Sequence, residues 1–197
     1  MNTKLPGTKG QLTFTRGMSV FLAAAVFLII AGSLIYFRFS SPRLPQWIQW
    51  TEKSVQPTDS PYAPESITLS SRRLTVQSSG RMAWQSPEDI LVQDFLWCDI
   101  NHDSENELIL LCWRIGRYGH ARPYWVKEDE KEWSQHIYIY SWKDKAIHPL
   151  WMASDIGMNV LSFTFDETQR LLITETNGKK TAWDWISWGL TYMKTYD

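Results

Sequence analysis

The hydrophobic and polar positions divide the chain into two regions with different patterns. Near the N-terminus, Val20 to Phe37 is a run of 18 residues without a charged side chain. Beyond it, short segments alternate between apolar and polar residues, or are rich in β-branched and aromatic side chains, and turn-forming residues separate them. This pattern predicts an N-terminal transmembrane helix followed by a mainly β domain.

The apolar run predicts a transmembrane helix over 18–37, about 30 Å long, which matches the hydrocarbon core of a bilayer. A cleaved signal peptide is the alternative, with Ala31-Gly-Ser33 as the cleavage site, but its apolar core is usually shorter. We therefore expect an uncleaved signal anchor, with 1–17 as a cytoplasmic tail and the rest of the chain outside the cytoplasm. The small excess of basic residues on the N-terminal side supports this orientation: Lys4, Lys9 and Arg16 precede the helix, and Arg38 and Arg43 follow it.

Residues 38–64 contain five of the nine prolines, which predicts an extended proline-rich linker. The folded domain is then expected over 65–197, about 130 residues. Ile90 to Ser154 is predicted to form one four-stranded sheet that is interrupted by a long insertion. Similar strand–turn–strand units recur before and after it, so we expect antiparallel, blade-like meanders that form a partial propeller or a small stack of sheets.

Charge and cysteine content exclude several classes of protein. The 20 basic and 21 acidic residues are nearly balanced, so the chain lacks the basic surface of a nucleic-acid-binding protein. Its two cysteines are too few for a disulfide scaffold or a four-cysteine zinc module. Cys98 and Cys112 flank a predicted hairpin at an offset of about 13 Å, which is too far for a disulfide bond.

One short motif carries candidate metal chemistry. Asp99, Asn101, Asp103 and Glu107 place side-chain oxygens at the first, third, fifth and ninth positions of a loop between two strands, and the carbonyl of Glu105 falls at the seventh. Calcium prefers six to eight hard oxygen ligands, and this spacing can curl them around one centre. The sequence therefore predicts a calcium-binding hairpin.

This strand–loop–strand segment resembles the FG-GAP/VCBS-type repeat, over Phe95 to about Trp113. The resemblance implies a calcium-containing propeller blade of the kind found in bacterial surface proteins and integrin-like heads. Ser104 departs from the family pattern, because it stands where the repeat has a glycine and where the sharp turn favours a positive φ.

The insertion over 116–135 is the second candidate site. It combines flat aromatic rings with hydrogen-bond donors, a combination suited to sugar or peptide recognition. The alternative is a flap whose rings pack on the sheet. The candidate ligand-binding residues are Tyr118, His120, Arg122, Tyr124, Trp125 and Trp133.

No nucleophile elbow, phosphate-binding loop or zinc-protease motif occurs in the sequence. We therefore expect a non-enzymatic binding or structural module at the cell membrane that recognises a glycan, a peptide or a protein. Two alternatives remain open. One is an enzyme acting on glycans with carboxylates near the insertion, and the other is an accessory subunit whose helix docks a partner through Gly32 and Ser33.

Overall fold

The computed structural model describes residues 25–32, 42–119, 122–154 and 156–196. Residues 25–32 are helical and belong to the predicted transmembrane segment. Within the described ranges, no helix has both the length and the apolar character needed to span a membrane. The 1–17 tail and the remainder of 18–37 lie outside these ranges, so the membrane anchor stays a prediction.

The described residues from Pro42 onward belong to one compact unit that contains twelve strands. The first sheet has the order β1 (Lys53–Val55), β2 (Ser66–Ser70), β3 (Arg73–Ser78) and β4 (Arg81–Gln85). The central sheet has β5 (Leu91–Cys98), β6 (Glu107–Ile115), β7 (Trp133–Lys143) and β8 (Ala146–Met152). The third sheet has β9 (Val160–Phe165), β10 (Leu171–Glu175), β11 (Lys180–Ile186) and β12 (Gly189–Tyr196).

Every neighbouring pair of strands in these sheets is antiparallel and consecutive in the chain. The prediction of a mainly β domain built from antiparallel meanders is confirmed, and each of the three meanders has four strands. The predicted sheet over Ile90 to Ser154 corresponds to β5–β8, and the insertion is the segment 116–132 between β6 and β7.

The central sheet is buried on both faces because its strands alternate two sets of apolar side chains. On β6, Leu108 and Leu110 face the first sheet and pack with Ile67 and Leu74. The intervening Ile109 and Leu111 face the third sheet, in a second cluster that includes Phe163 and Ile173. Strand β7 alternates in the same way, with Tyr138 and Tyr140 in the first cluster and Ile137 and Ile139 in the second.

The outer faces of the first and third sheets carry exposed polar side chains, and the third sheet also exposes large apolar and aromatic ones on β12. On the first sheet, Ser54 and Thr68 are hydrogen-bonded across β1 and β2 at 2.8 Å. On the third sheet, Ser162 and Thr164 are exposed and alternate with the buried Phe163. The two apolar clusters therefore lie between the sheets.

Two buried glutamines join the central sheet to β9. The backbone N–H of Val160 donates to Oε1 of Gln135 at 2.7 Å, and Nε2 of Gln135 donates to the carbonyl of Val160 at 2.8 Å. Gln93 lies at an irregularity in the pairing of β5 with β6, and its Nε2 donates to the carbonyl of Leu161 at 3.1 Å. A bulge of this kind redirects a side chain, here towards the third sheet.

The beginning of the domain differs from the predicted boundary at residue 65. The compact unit starts at Pro42, and β1 lies inside the predicted linker of 38–64. Ile48 is buried, and the ring of Trp47 lies 5.6 Å from the ring of Trp113. The prolines exclude a long helix, yet extended chain can still pair with a sheet edge and cover its apolar surface.

The two cysteines lie on opposite faces of the central sheet. Cys98 packs in the cluster towards the third sheet and Cys112 in the cluster towards the first. Both are free thiols. Burial raises the pKa of both thiols, so they remain protonated at neutral pH.

Candidate functional site

The loop between β5 and β6 is a sharp turn that closes where Cys98 pairs with Glu107. Two of its residues have left-handed backbone conformations, with φ of 63° at His102 and 71° at Ser104. The turn therefore takes a positive φ at the position where the repeat pattern has glycine. A serine adopts this conformation at a cost of about 1–2 kcal/mol.

The side-chain oxygens of this loop turn inwards. The carboxylate of Asp99 accepts hydrogen bonds from the backbone N–H groups of Asp103 at 3.1 Å and Ser104 at 2.9 Å. The carboxylate of Asp103 accepts one from the N–H of Glu105 at 2.8 Å and one from Nδ2 of Asn101 at 3.0 Å. Each carboxylate oxygen has a second lone pair, so these bonds hold the oxygens in place without exhausting them as ligands.

Glu107 forms the floor of the loop and is only 2% exposed. Its carboxylate accepts hydrogen bonds from the N–H of Ile100 at 3.1 Å and from Nδ2 of Asn101 at 3.0 Å. Burial, together with the nearby charges of Asp103 and Asp99, raises the pKa of Glu107 from 4.5 to about 7. The site therefore brings carboxylates together without a cationic side chain among their hydrogen-bond partners within the described loop.

The structure brings together four of the five predicted metal ligands. Asp99, Asn101, Asp103 and Glu107 are connected by the bonds above. Glu105 was predicted to contribute its backbone carbonyl, so its exposed side chain does not bear on that prediction. Across the described ranges, no group of three or more His, Cys, Asp or Glu residues has a metal-binding arrangement.

The loop is also tied to the third sheet. Nε2 of His102 lies 2.8 Å from Oδ1 of Asp184 on β11. Oδ2 of Asp184 lies 3.7 Å from Nε of Arg170, so the same carboxylate contacts two basic side chains. The position of the loop thus depends on the packing of β11.

The insertion of 116–132 is built around the carboxylate of Asp129. That carboxylate accepts hydrogen bonds from the backbone N–H groups of Arg117, Tyr118, Gly119 and Glu130 at distances of 2.7–3.3 Å. Burial acts to raise the pKa of Asp129, but these four donors outweigh it and hold the pKa below its usual value. The ionised Asp129 carboxylate therefore holds the backbone of the insertion in place through these hydrogen bonds.

The predicted ligand-binding residues of the insertion fall at separate places. Tyr118 lines a cavity beside β7, and Trp133 donates from Nε1 to the carbonyl of Pro42 at 3.2 Å. Tyr124 and Trp125 form an exposed aromatic pair with ring centroids 4.9 Å apart. Arg122 is exposed. His120 lies outside the described residues.

Several important residues carry no short sequence motif. Arg114, Tyr138 and Tyr140 line the same cavity as Tyr118, and their signal in the sequence is limited to the alternation of β6 and β7. Gln93 and Gln135 stand as single polar residues in apolar strands, and that irregularity could have identified them as buried hydrogen-bonding groups.

Comparison with known proteins gives no family: no protein-family model matches the chain, and neither does any curated protein. The FG-GAP/VCBS resemblance thus rests on the loop and its two flanking strands.

Proposed function

We propose that this chain is a single-pass membrane protein that displays a non-enzymatic binding or structural module outside the cytoplasm, with one calcium ion stabilising its β5–β6 loop. The three consecutive meanders support a module of blade-like sheets. Both apolar clusters lie between these three sheets, which favours a short stack or a partial propeller over a ring that needs further blades.

The arrangement around Glu107 is the observation that carries the calcium proposal. Three carboxylates and one amide oxygen are held within a nine-residue segment, and the buried Glu107 has a raised pKa. A divalent cation would offset the repulsion among these groups and favour the ionised form of Glu107. The positive φ of Ser104 supports the same proposal, because the turn already has the backbone conformation that the repeat pattern requires.

The contacts of the insertion favour a binding module over an enzyme. Glycoside hydrolysis needs two carboxyl groups that face each other across a substrate. In the insertion, the backbone holds the Asp129 carboxylate through four N–H donors, and Glu130 lies 3.4 Å from the guanidinium of Arg117.

The calcium proposal is tested by melting the full chain in lipid nanodiscs, in EDTA and in millimolar calcium. An ion that binds only the folded state raises the free energy of unfolding by about 2.7 kcal/mol at 100 times its Kd. We expect a clear upward shift of Tm that Asp103→Asn abolishes. The matched control is Asp144→Asn in the exposed β7–β8 turn, which retains the shift. The calcium site is contradicted if calcium shifts the Tm of the wild type and both variants equally, or if it does not shift the Tm of the wild type.

The membrane topology is tested by fusing alkaline phosphatase to the C-terminus in a bacterial host. The enzyme is active only after export, so we expect activity in the fusion and its loss when 18–37 is deleted. An inactive, stable fusion contradicts display outside the cytoplasm.

A further inference from the structure

A cavity of about 670 Å³ lies beside the insertion, on the face of the central sheet that packs against the first sheet. Strands β7 and β8 form its floor, where Met152 pairs with Tyr138 and Pro149 pairs with Tyr140. Tyr118 of the insertion contributes to its wall. The volume and the mainly apolar and aromatic lining are those of a small-molecule site.

Two tyrosines contribute phenol groups to this cavity. Tyr140 is only 6% exposed as a whole residue, but its hydroxyl oxygen is not among the buried, unpaired side-chain atoms of the described residues. The hydroxyl of Tyr138 is contacted only at 3.5 Å, by Nη1 of Arg114. Both tyrosines line the cavity, so their hydroxyls are available as donors to a bound group. Burial raises the pKa of both phenols, and they therefore remain donors at neutral pH.

Arg114 adds a positive charge to the same wall. Its side chain is 15% exposed, and its Nε is buried without a hydrogen-bond partner. Its ion pair with Asp89 is long, at 3.4 Å, and the Asp89 side chain is 57% exposed. The backbone of Gly119 closes over the guanidinium so tightly that a Cβ atom there would collide with it. The guanidinium therefore packs directly against the backbone of the insertion.

Two arginines line the cavity, and their acidic partners Asp89 and Glu130 lie outside its lining, each 3.4 Å from the guanidinium that it contacts. Arg114 and Arg117 both line it, and no acidic side chain does so among the described residues. The nearby carboxylate of Asp129 is directed to the backbone amides of the insertion. An anionic group entering the cavity would thus meet the guanidinium of Arg114 and the hydroxyl donors of Tyr138 and Tyr140.

We propose that this cavity binds a ligand with an apolar body and a terminal carboxylate, with the body against the tyrosine rings and the carboxylate on Arg114 and the Tyr140 hydroxyl. A free aromatic acid and a peptide C-terminus share this chemistry. The inference rests on the proposed role as a binding module, but it requires neither calcium nor the membrane anchor. Titrations in EDTA therefore separate its failure from a failure of the calcium site.

The experiment follows the methionine methyl groups by NMR in the full chain, in nanodiscs and EDTA. The first arm compares 3-phenylpropionate with 3-phenylpropan-1-ol, which lacks the charge. The second arm compares N-acetyl-Gly-Phe with its C-terminal amide. The Met152 methyl reports on the cavity, while the exposed Met82 and Met193 are internal controls.

We expect 3-phenylpropionate to shift the Met152 signal and to bind about tenfold more tightly than the alcohol, as a hydrogen-bonded charge implies. Arg114→Gln should remove this preference, and the conservative Tyr140→Phe should weaken binding of the acid about fivefold. The control variants Arg73→Gln and Tyr62→Phe, outside the cavity, should bind like the wild type. If the peptide acid binds more tightly than its amide and than 3-phenylpropionate, the ligand is a peptide C-terminus; if only 3-phenylpropionate binds, it is a free acid.

Three results would overturn the proposal. The first is the absence of a Met152 shift with either acid at about 5 mM, a concentration that detects even very weak binding. The second is equal affinity for the acid and the alcohol. The third is unchanged binding of the acid in both Arg114→Gln and Tyr140→Phe.

Discussion

Replacing Gln135 tests whether buried amides hold the third sheet on the central sheet. The Gln135→Leu substitution keeps a side chain of similar size but removes three hydrogen bonds of 2.7–2.8 Å to Gln93 and Val160. Val160 is fully buried, so its backbone N–H and C=O both lose their partner in the variant. The Oε1 of Gln93 keeps the indole N–H of Trp113 at 2.8 Å.

The magnitude follows from these two unpaired backbone groups. Each buried donor or acceptor left without a partner costs about 1–3 kcal/mol. The gain from burying an apolar leucine offsets part of this cost, and we expect a net loss of about 3 kcal/mol in the free energy of unfolding. In a domain of this size, that corresponds to a decrease in Tm of about 6–12 °C.

The assay is urea and thermal unfolding of the full chain, together with hydrogen exchange of β9 and β10. The matched control is Gln77→Leu, at an exposed position of the first sheet, which should change stability by less than about 0.5 kcal/mol. The reasoning is refuted if Gln135→Leu unfolds like the wild type, or if exchange in β9 and β10 is unchanged.

Three further predictions concern the β5–β6 loop and the insertion of 116–132. Because burial raises the pKa of Glu107 from 4.5 to about 7, the folded state binds the proton more tightly than the unfolded state. Calcium-free stability should therefore fall by about 3 kcal/mol as the pH rises through this range, and Glu107→Gln should flatten that slope in urea titrations. At Ser104, glycine should leave Tm equal or higher, whereas valine should cost about 1–2 kcal/mol because a β-branched residue is strained at this positive φ. The Asp129→Ala variant should accelerate amide exchange at Arg117, Tyr118 and Gly119 with little effect on exchange in β6, and unchanged exchange at these three amides would contradict the anchoring role of this carboxylate.

The strands β5, β6 and β7 of the central sheet were predictable because short runs of neighbouring residues identify each of them. The runs of Ile90–Trp97, Glu107–Trp113 and His136–Tyr140 each combine apolar periodicity with flanking turn residues, and they correspond to β5, β6 and β7. Strand β1 was missed, since three residues between prolines show no periodicity and become a strand only by pairing with β2. The edge strand β12 was also missed, because its exposed, polar and aromatic sequence has no buried face.

The calcium loop and the cavity also differ in how far their residues are separated in the sequence. The calcium-loop residues lie within nine positions of one another, so their spacing can be seen in the sequence. The cavity brings together Arg114, Tyr118, Tyr140 and Met152, whose proximity depends on the register of β6, β7 and β8 and on the path of the insertion. No local pattern contains that information.

The most direct test of the calcium site is to count the ions bound by the purified full chain, using equilibrium dialysis against radioactive calcium. The account predicts one ion per chain for the wild type and for Asp144→Asn, and none for Asp103→Asn at the same free calcium concentration. If the wild type binds no calcium, or if Asp103→Asn still binds one ion per chain, the assignment of calcium to the β5–β6 loop is contradicted.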